Sequence, residues 1–183
     1  MSLHPTTRTA LGLLLCAFLM HGQLPDDAKK AADRWLATDC SQDDEQRLED
    51  ALRKYKAQIE PVFVDALRNG PDASRGDAVR LAAAHRFESI QQLLKSKNSH
   101  VTEADRKVWE AMSRDEYINR QVEDFRLRYR SRAAAGLGVV DGEAGRSELR
   151  KIAQDGASPL QSSAQAALLR LGDSSVKRAY QSK

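Results

Sequence analysis

Apolar residues in this chain of 183 recur at intervals of three and four almost from end to end, and nowhere alternate with polar ones over the length of a strand. Side chains at i, i+3, i+4 and i+7 share one face of a helix, whereas a strand needs a period of two. The clearest stripes are Ala28, Ala32, Trp35 and Leu36, then Leu48, Leu52, Tyr55 and Ile59, and later Ile118, Val122, Phe125, Tyr129 and Ala133. Composition agrees: aromatic residues make up 5% and Ala and Leu abound, a mixture that favours helix over sheet. With 41% hydrophobic and 30% charged residues, the chain has material for one ordinary core. The expected fold class is all-α.

Start and stop signals divide the pattern. Pro61 should end or kink the helix that carries Ile59, because it lacks a backbone donor and crowds the preceding turn. A short helix with Val62, Phe63, Ala66 and Leu67 inward should then stop at Asn69-Gly70-Pro71-Asp72. A Ser or Thr with an acid three residues later, the form of a capping box, occurs at Ser41, Ser74, Thr102 and Ser113. The helix opened by Thr102 should turn Ala104, Val108 and Met112 inward. After Gly138 and Gly142 the pattern restarts at Leu149, Ile152 and Ala153, breaks at Gly156, and resumes at Ser158-Pro159, a favoured helix start.

The chain also echoes itself. Placing Gly70 over Gly156 sets Ala78 on Ala164, Leu81 on Ala167, Ala82 on Leu168 and His85 on Leu171. Leu137-Gly138 over Leu171-Gly172 is a second echo, offset by 34 residues. Helix, glycine break and small-residue helix thus form a unit of the size that stacks into solenoids. The segment AAAGLGVVDGEAGRSELRKIAQDGASPLQSSAQAALLRLGD, Ala133 to Asp173, resembles HEAT repeats: the end of one helix, a turn, a second helix, an Asp-Gly turn, and a helix closing on Leu-Gly-Asp. Gln46 to Lys95 resembles the family more weakly, and Asn98 to Tyr129 fits as generic helices. The resemblance implies a short HEAT-like stack of antiparallel helix hairpins, an α-solenoid, whose surface grips other proteins. A few HEAT-like proteins are lyases acting on pigments or modified residues, so it also admits an enzyme.

Residues 1–22 have the shape of a secretory signal peptide. Arg8 precedes an apolar run, Ala10 to Met20, about half the roughly 20 residues that a spanning helix needs, and polar residues follow at once. Cleavage after Gly22 would leave residues 23–183 as a single all-α domain, periplasmic or secreted from a bacterium, with no membrane span. A buried N-terminal helix is one alternative. A lipoprotein joined through Cys16 is another, although Leu13, Leu14 and Leu15 stand where a small residue is expected. Without the leader, Cys40 is the remaining cysteine and has no internal disulfide partner.

Charge is unevenly spread. Gln23 to Asp124 carries 17 Lys and Arg against 21 Asp and Glu, and Phe125 to Lys183 carries 11 against 5. The basic end should therefore be the final third, while the near-balanced total of +3 over the whole chain speaks against nucleic acid as a partner.

No catalytic constellation stands out. His85 and His100 have no ligand spacing with Cys40, so neither metal nor cofactor is expected. His85 should sit on a packed helix face and His100 in a turn. Gly136, Gly138, Gly142 and Gly145 loosely imitate a phosphate loop but follow a helix and lack Gly-Lys-Ser/Thr. Asp43-Asp44 and Asp115-Glu116 suit the positive ends of helices. The most distinctive charged feature is Phe125-Arg-Leu-Arg-Tyr-Arg-Ser-Arg132. Its Arg126, Arg128, Arg130 and Arg132, with Arg146 and Arg150 in the next helix, are the candidate partner-binding residues, because guanidinium forks pair with carboxylates in two-toothed fashion. A solvated face paired with Glu123, Asp124 or acids of neighbouring helices is the plainer account of the four on one helix. The function expected is a protein-protein interaction module, an envelope adaptor or an inhibitor or immunity-type binder, whose partner has an acidic surface. The alternative is a HEAT-like lyase or other enzyme acting on a small molecule or modified protein.

Overall fold

The periodic stripes become helices. The computed structural model describes residues 24–38, 42–96 and 101–176, and among these every regular element is a helix and none is a strand. The leader, Cys40, Ser41 and His100 lie outside the described residues. The helices are α1 (Asp26–Ala37), α2 (Gln42–Lys54), α3 (Lys56–Asn69), α4 (Ala73–Lys95), α5 (Glu103–Ala111), α6 (Arg114–Val140), α7 (Glu143–Gln154) and α8 (Gln161–Arg170). Among the described residues, no helix is long and apolar enough to cross a membrane.

The longest helix, α6, overrides the break expected at Gly138. It runs on to Val140 and ends at Asp141, which adopts the left-handed conformation at φ 56°. Both internal glycines serve close approach instead of a turn. A Cβ at Gly136 would stand 2.6 Å from Phe63 Cε2, and one at Gly138 would stand 3.1 Å from the Ala167 Cα. Two interior glycines cost a helix about 1 kcal/mol each relative to alanine. Here they let α3 and α8 pack directly on the α6 backbone. The helix also packs against α1, α2, α4 and α7.

α3 and α4 lie end to end along α6, both antiparallel to it. Phe63 faces Gly136 and Arg130 bonds the Leu67 carbonyl, while further along Arg75 meets Tyr129, Arg80 meets Asn119 and Phe87 stacks near Tyr117. They do not fold back on each other as the alignment of Gly70 with Gly156 implied. Gly70 (φ 76°) closes α3 and Pro71 sends the chain onward, because the apolar faces on both sides of that joint match the same long helix. The aligned positions accordingly part company. Ala164, Ala167 and Leu168 are buried, whereas Ala78 and Ala82 are exposed, Leu81 is 61% exposed, and the His85 side chain is 72% exposed near Glu88. His85 is therefore a surface residue and not a packed one.

Other boundaries move by less. α2 ends at Lys54, with the break at Tyr55 and not at Pro61, which lies inside α3 on its exposed side. The carbonyl that Pro61 leaves unbonded belongs to Ala57, also exposed, so water can satisfy it. Asp72 caps α4 in place of Ser74, accepting from the Arg75 amide at 2.9 Å. Thr102 and Ser113 cap α5 and α6 as their boxes require, each accepting from the third amide onward at 3.1 Å. α8 begins at Gln161, because Ser158-Pro159-Leu160 form a turn whose Ser158 hydroxyl accepts from the Leu160 amide.

Two apolar clusters result. The larger gathers α1, α2, α3, the C-terminal half of α6, α7 and α8 around Trp35, Leu52, Ile59, Phe63, Leu137 and Leu168, all essentially fully buried. Burying a leucine or phenylalanine side chain contributes about 1.5–3 kcal/mol. The smaller joins α4 to the N-terminal half of α6 through Ala83, Ala84, Phe87, Tyr117, Ile118 and Val122. Trp109 of α5 rests on it 5.4 Å from Tyr117, and Arg106 donates to the Leu94 carbonyl. Met112 faces inward as expected, but Ala104 is exposed and Val108 is 57% exposed, and Trp109 packs inward in their place.

Candidate functional site

Successive residues on a helix are turned by about 100°, so alternate arginines cannot share one face. Arg126 and Arg130 fall on one side of α6 and Arg128 and Arg132 on the other. Arg126 is exposed and pairs with Glu123 one turn back at 2.6 Å. Arg128 is exposed on the opposite side.

The remaining four hold joints between helices. Arg130 donates from Nε to the Leu67 carbonyl at 2.8 Å, satisfying one of the acceptors left open at the end of α3. Arg132 is drawn into the body: its side chain is 20% exposed, its guanidinium lies 3.9 Å from the Trp35 ring centre, and it pairs with Glu45 at 3.0 Å. Arg146 binds Asp141 at the turn before its own helix and reaches the Leu171 carbonyl at the end of α8. Arg150 pairs with Asp173 at 2.8 Å. The structure thus does not bring the six arginines together.

The acids on these joints were not singled out from sequence. Asp173 is buried, and the Ser175 hydroxyl with Arg150 holds its carboxyl below the usual range. It follows Gly172 (φ 71°), and the bonds from Asp173 N to Leu168 O and from Gly172 N to Leu169 O close α8 in a Schellman motif. Leu-Gly-Asp was the visible signal for that closure. Glu49, buried on α2, receives both Arg53, one turn on, and Arg170 from α8. Only its spacing to Arg53 was legible, since the Arg170 contact spans 121 residues. Glu60 of α3 reaches the start of α7, where Gly142 offers no side chain, and accepts from the Gly145 amide at 2.7 Å.

What remains open near the arginines is a groove of about 490 Å³ where α3 ends and α4 begins. Arg126, Leu127, Pro71 and Pro159 line it, with Glu123 and Asp124 beside them, so its charge is mixed. Leu127 is among the large apolar residues left exposed. Among the described residues, no group of three or more His, Cys, Asp or Glu is arranged to hold a metal ion. Compared with known proteins, the chain matches no protein-family model, no curated protein and no solved structure.

Proposed function

We propose that this chain is an exported helical protein, periplasmic or secreted, that works by binding another protein as an adaptor or inhibitor. The observation that carries the reading is the exposed pair Arg126 and Leu127 of α6 in an open groove, with Arg128 exposed on the other side of the same helix. An exposed leucine beside a guanidinium group offers apolar area together with donors for a partner's carboxylates, the mixture that makes arginine common at interfaces. Kinship with HEAT repeats over Ala133 to Asp173 belongs to the same proposal. It is supported by α7 and α8, which pack as an antiparallel hairpin connected through residues 155–160, with the far end of α8 capped by the Schellman turn. The helix with the arginines is the one that leads into this hairpin.

The test is capture of envelope proteins on the folded chain at low and moderate salt, beside an Arg126→Glu/Arg128→Glu variant. One stoichiometric partner, lost as salt rises and lost in the variant, is the expected outcome. A partner retained equally by both proteins would remove these residues from the contact. Fractionation and N-terminal sequencing of the native protein test export: a mature chain beginning near Gln23 is expected.

A further inference from the structure

The internal joints engage most arginines of the final third, and the open cations cluster elsewhere. α1 and α2 enclose a groove of about 720 Å³ on the first part of the chain, the part with net negative sequence charge. Each helix contributes residues at helical spacing. Ala31 of α1, Leu48 and Ala51 of α2, and Tyr55 just after α2 make the floor, and the last three are partly buried against the main core. Above the floor stand Lys30 and Arg34 of α1 and Arg47 and Lys54 of α2, against two carboxylates, Asp27 and Asp44. Among the described residues Lys30 and Arg34 enter no ion pair. Arg47 reaches Asp44 only at 3.9 Å, and Lys54 lies over the Tyr55 ring.

We infer that this groove is a docking site for an acidic amphipathic helix of a partner protein. The floor matches a stripe of apolar side chains at i, i+3, i+4 and i+7, and a third helix laid on an antiparallel pair covers its exposed apolar area. The rim sets the sign of the partner: among the described residues, four cations against two acids repel a basic helix and attract carboxylates flanking the apolar stripe. This surface shares no lining residue with the groove beside α6 and does not depend on it.

The experiment uses the full chain and three labelled synthetic peptides that share one leucine stripe at helical spacing. Their flanking positions are all Glu, all Gln or all Lys, and binding is read by fluorescence anisotropy. The Glu peptide is expected to bind at least about tenfold more tightly than the Lys peptide, with a gap that narrows as salt rises. Arg34→Glu/Arg47→Glu should reverse the order. Both arginines are exposed, so its helical circular dichroism should match that of the parent; if it does not, Lys30→Gln/Lys54→Gln should reduce the gap. A Glu peptide that fails to bind, equal affinity for all three peptides, or an order unchanged in the folded variants would overturn the assignment. Since the α6 test uses other residues and a natural partner, either proposal can fail without the other.

Discussion

Trp35 and Arg132, 97 residues apart, each donate a hydrogen bond to the other's backbone carbonyl: Trp35 Nε1 to the Arg132 oxygen at 2.7 Å, Arg132 Nε to the Trp35 oxygen at 3.1 Å. The guanidinium also covers the indole face and continues to Glu45. Two side chains and two carbonyls thereby satisfy one another where α1, α2 and α6 meet. Arg132→Ala should lower unfolding free energy by about 2–3 kcal/mol, since it removes a desolvated cation-π contact and charge-assisted hydrogen bonds together. Arg132→Lys should recover less than half of that, because an ammonium keeps the charge but not the planar fork. Arg126→Ala, on the exposed part of the same helix, should change stability by less than about 0.5 kcal/mol. Denaturant unfolding of the three variants checks the ranking.

Two glycines in helices should respond to alanine with opposite signs. Gly76 of α4 has nothing within 4 Å of a built Cβ, so Gly76→Ala should stabilise by about 0.5–1 kcal/mol through helix propensity. At Gly136 the new methyl meets the Phe63 ring at 2.6 Å, and overpacking of about 1–3 kcal/mol should outweigh the propensity gain. Adding Phe63→Leu to Gly136→Ala should return part of the loss, which a double-mutant cycle on thermal or denaturant midpoints would reveal.

These glycines also mark where reading the sequence stopped. The helices were legible because stripes such as Leu48, Leu52 and Ile59 need only local periodicity. Gly138 reads as a break because a glycine that ends a helix and one that admits a neighbour look alike in one dimension. Only the position of Ala167 tells them apart. The Gly70 joint falls where the sequence places it, but the direction the chain takes there and the face that is buried do not follow from it: the stripe Ala78, Leu81, Ala82 and His85 is helical, but so is Val79, Ala83 and Phe87, and α6 covers the second. The arginine ridge was visible as composition. Its division between surface and joints depended on carbonyls and acids far away in the chain, such as Leu67, Glu45 and Asp173.

Glu60 stands in for an absent cap. The carboxylate accepts from the Gly145 amide at the positive end of α7, and a Cβ at Gly142 would fall 1.9 Å from the Glu60 Cδ. Glu60→Ala should cost about 1 kcal/mol, the usual worth of a helix cap, and should speed hydrogen exchange at the Gly145 amide in particular. Gly142→Ser would supply a local cap but displace Glu60, so it should destabilise the parent and help only in the Glu60→Ala background.

Acid should weaken the α3 to α7 joint in a defined window. Hydrogen bonds from Arg68 at 2.5 Å and Lys151 at 2.8 Å lower the Glu148 pKa from 4.5 to about 2. With the folded value below the unfolded one, the contribution is fully present above about pH 4.5, declines as the unfolded chain takes up the proton, and is gone below about pH 2. Stability measured against pH should therefore fall less steeply between those limits in Glu148→Gln than in the parent. Equal slopes would show that Glu148 is not held as described.

The two apolar clusters share one helix, and they differ in how many elements enclose them. Around Leu137, α6 is hemmed in by α3, α7 and α8, whereas around Ile118 it leans on α4 with α5 at the tip. A continuous helix under unequal cover has unequal lifetimes along its length. The first turns of α6 can melt together with α4 and α5 while the last turns stay intact, which gives the chain a local opening separate from global unfolding. Amides near Val122 should then exchange through that opening, and those near Val139 only when the whole fold lets go.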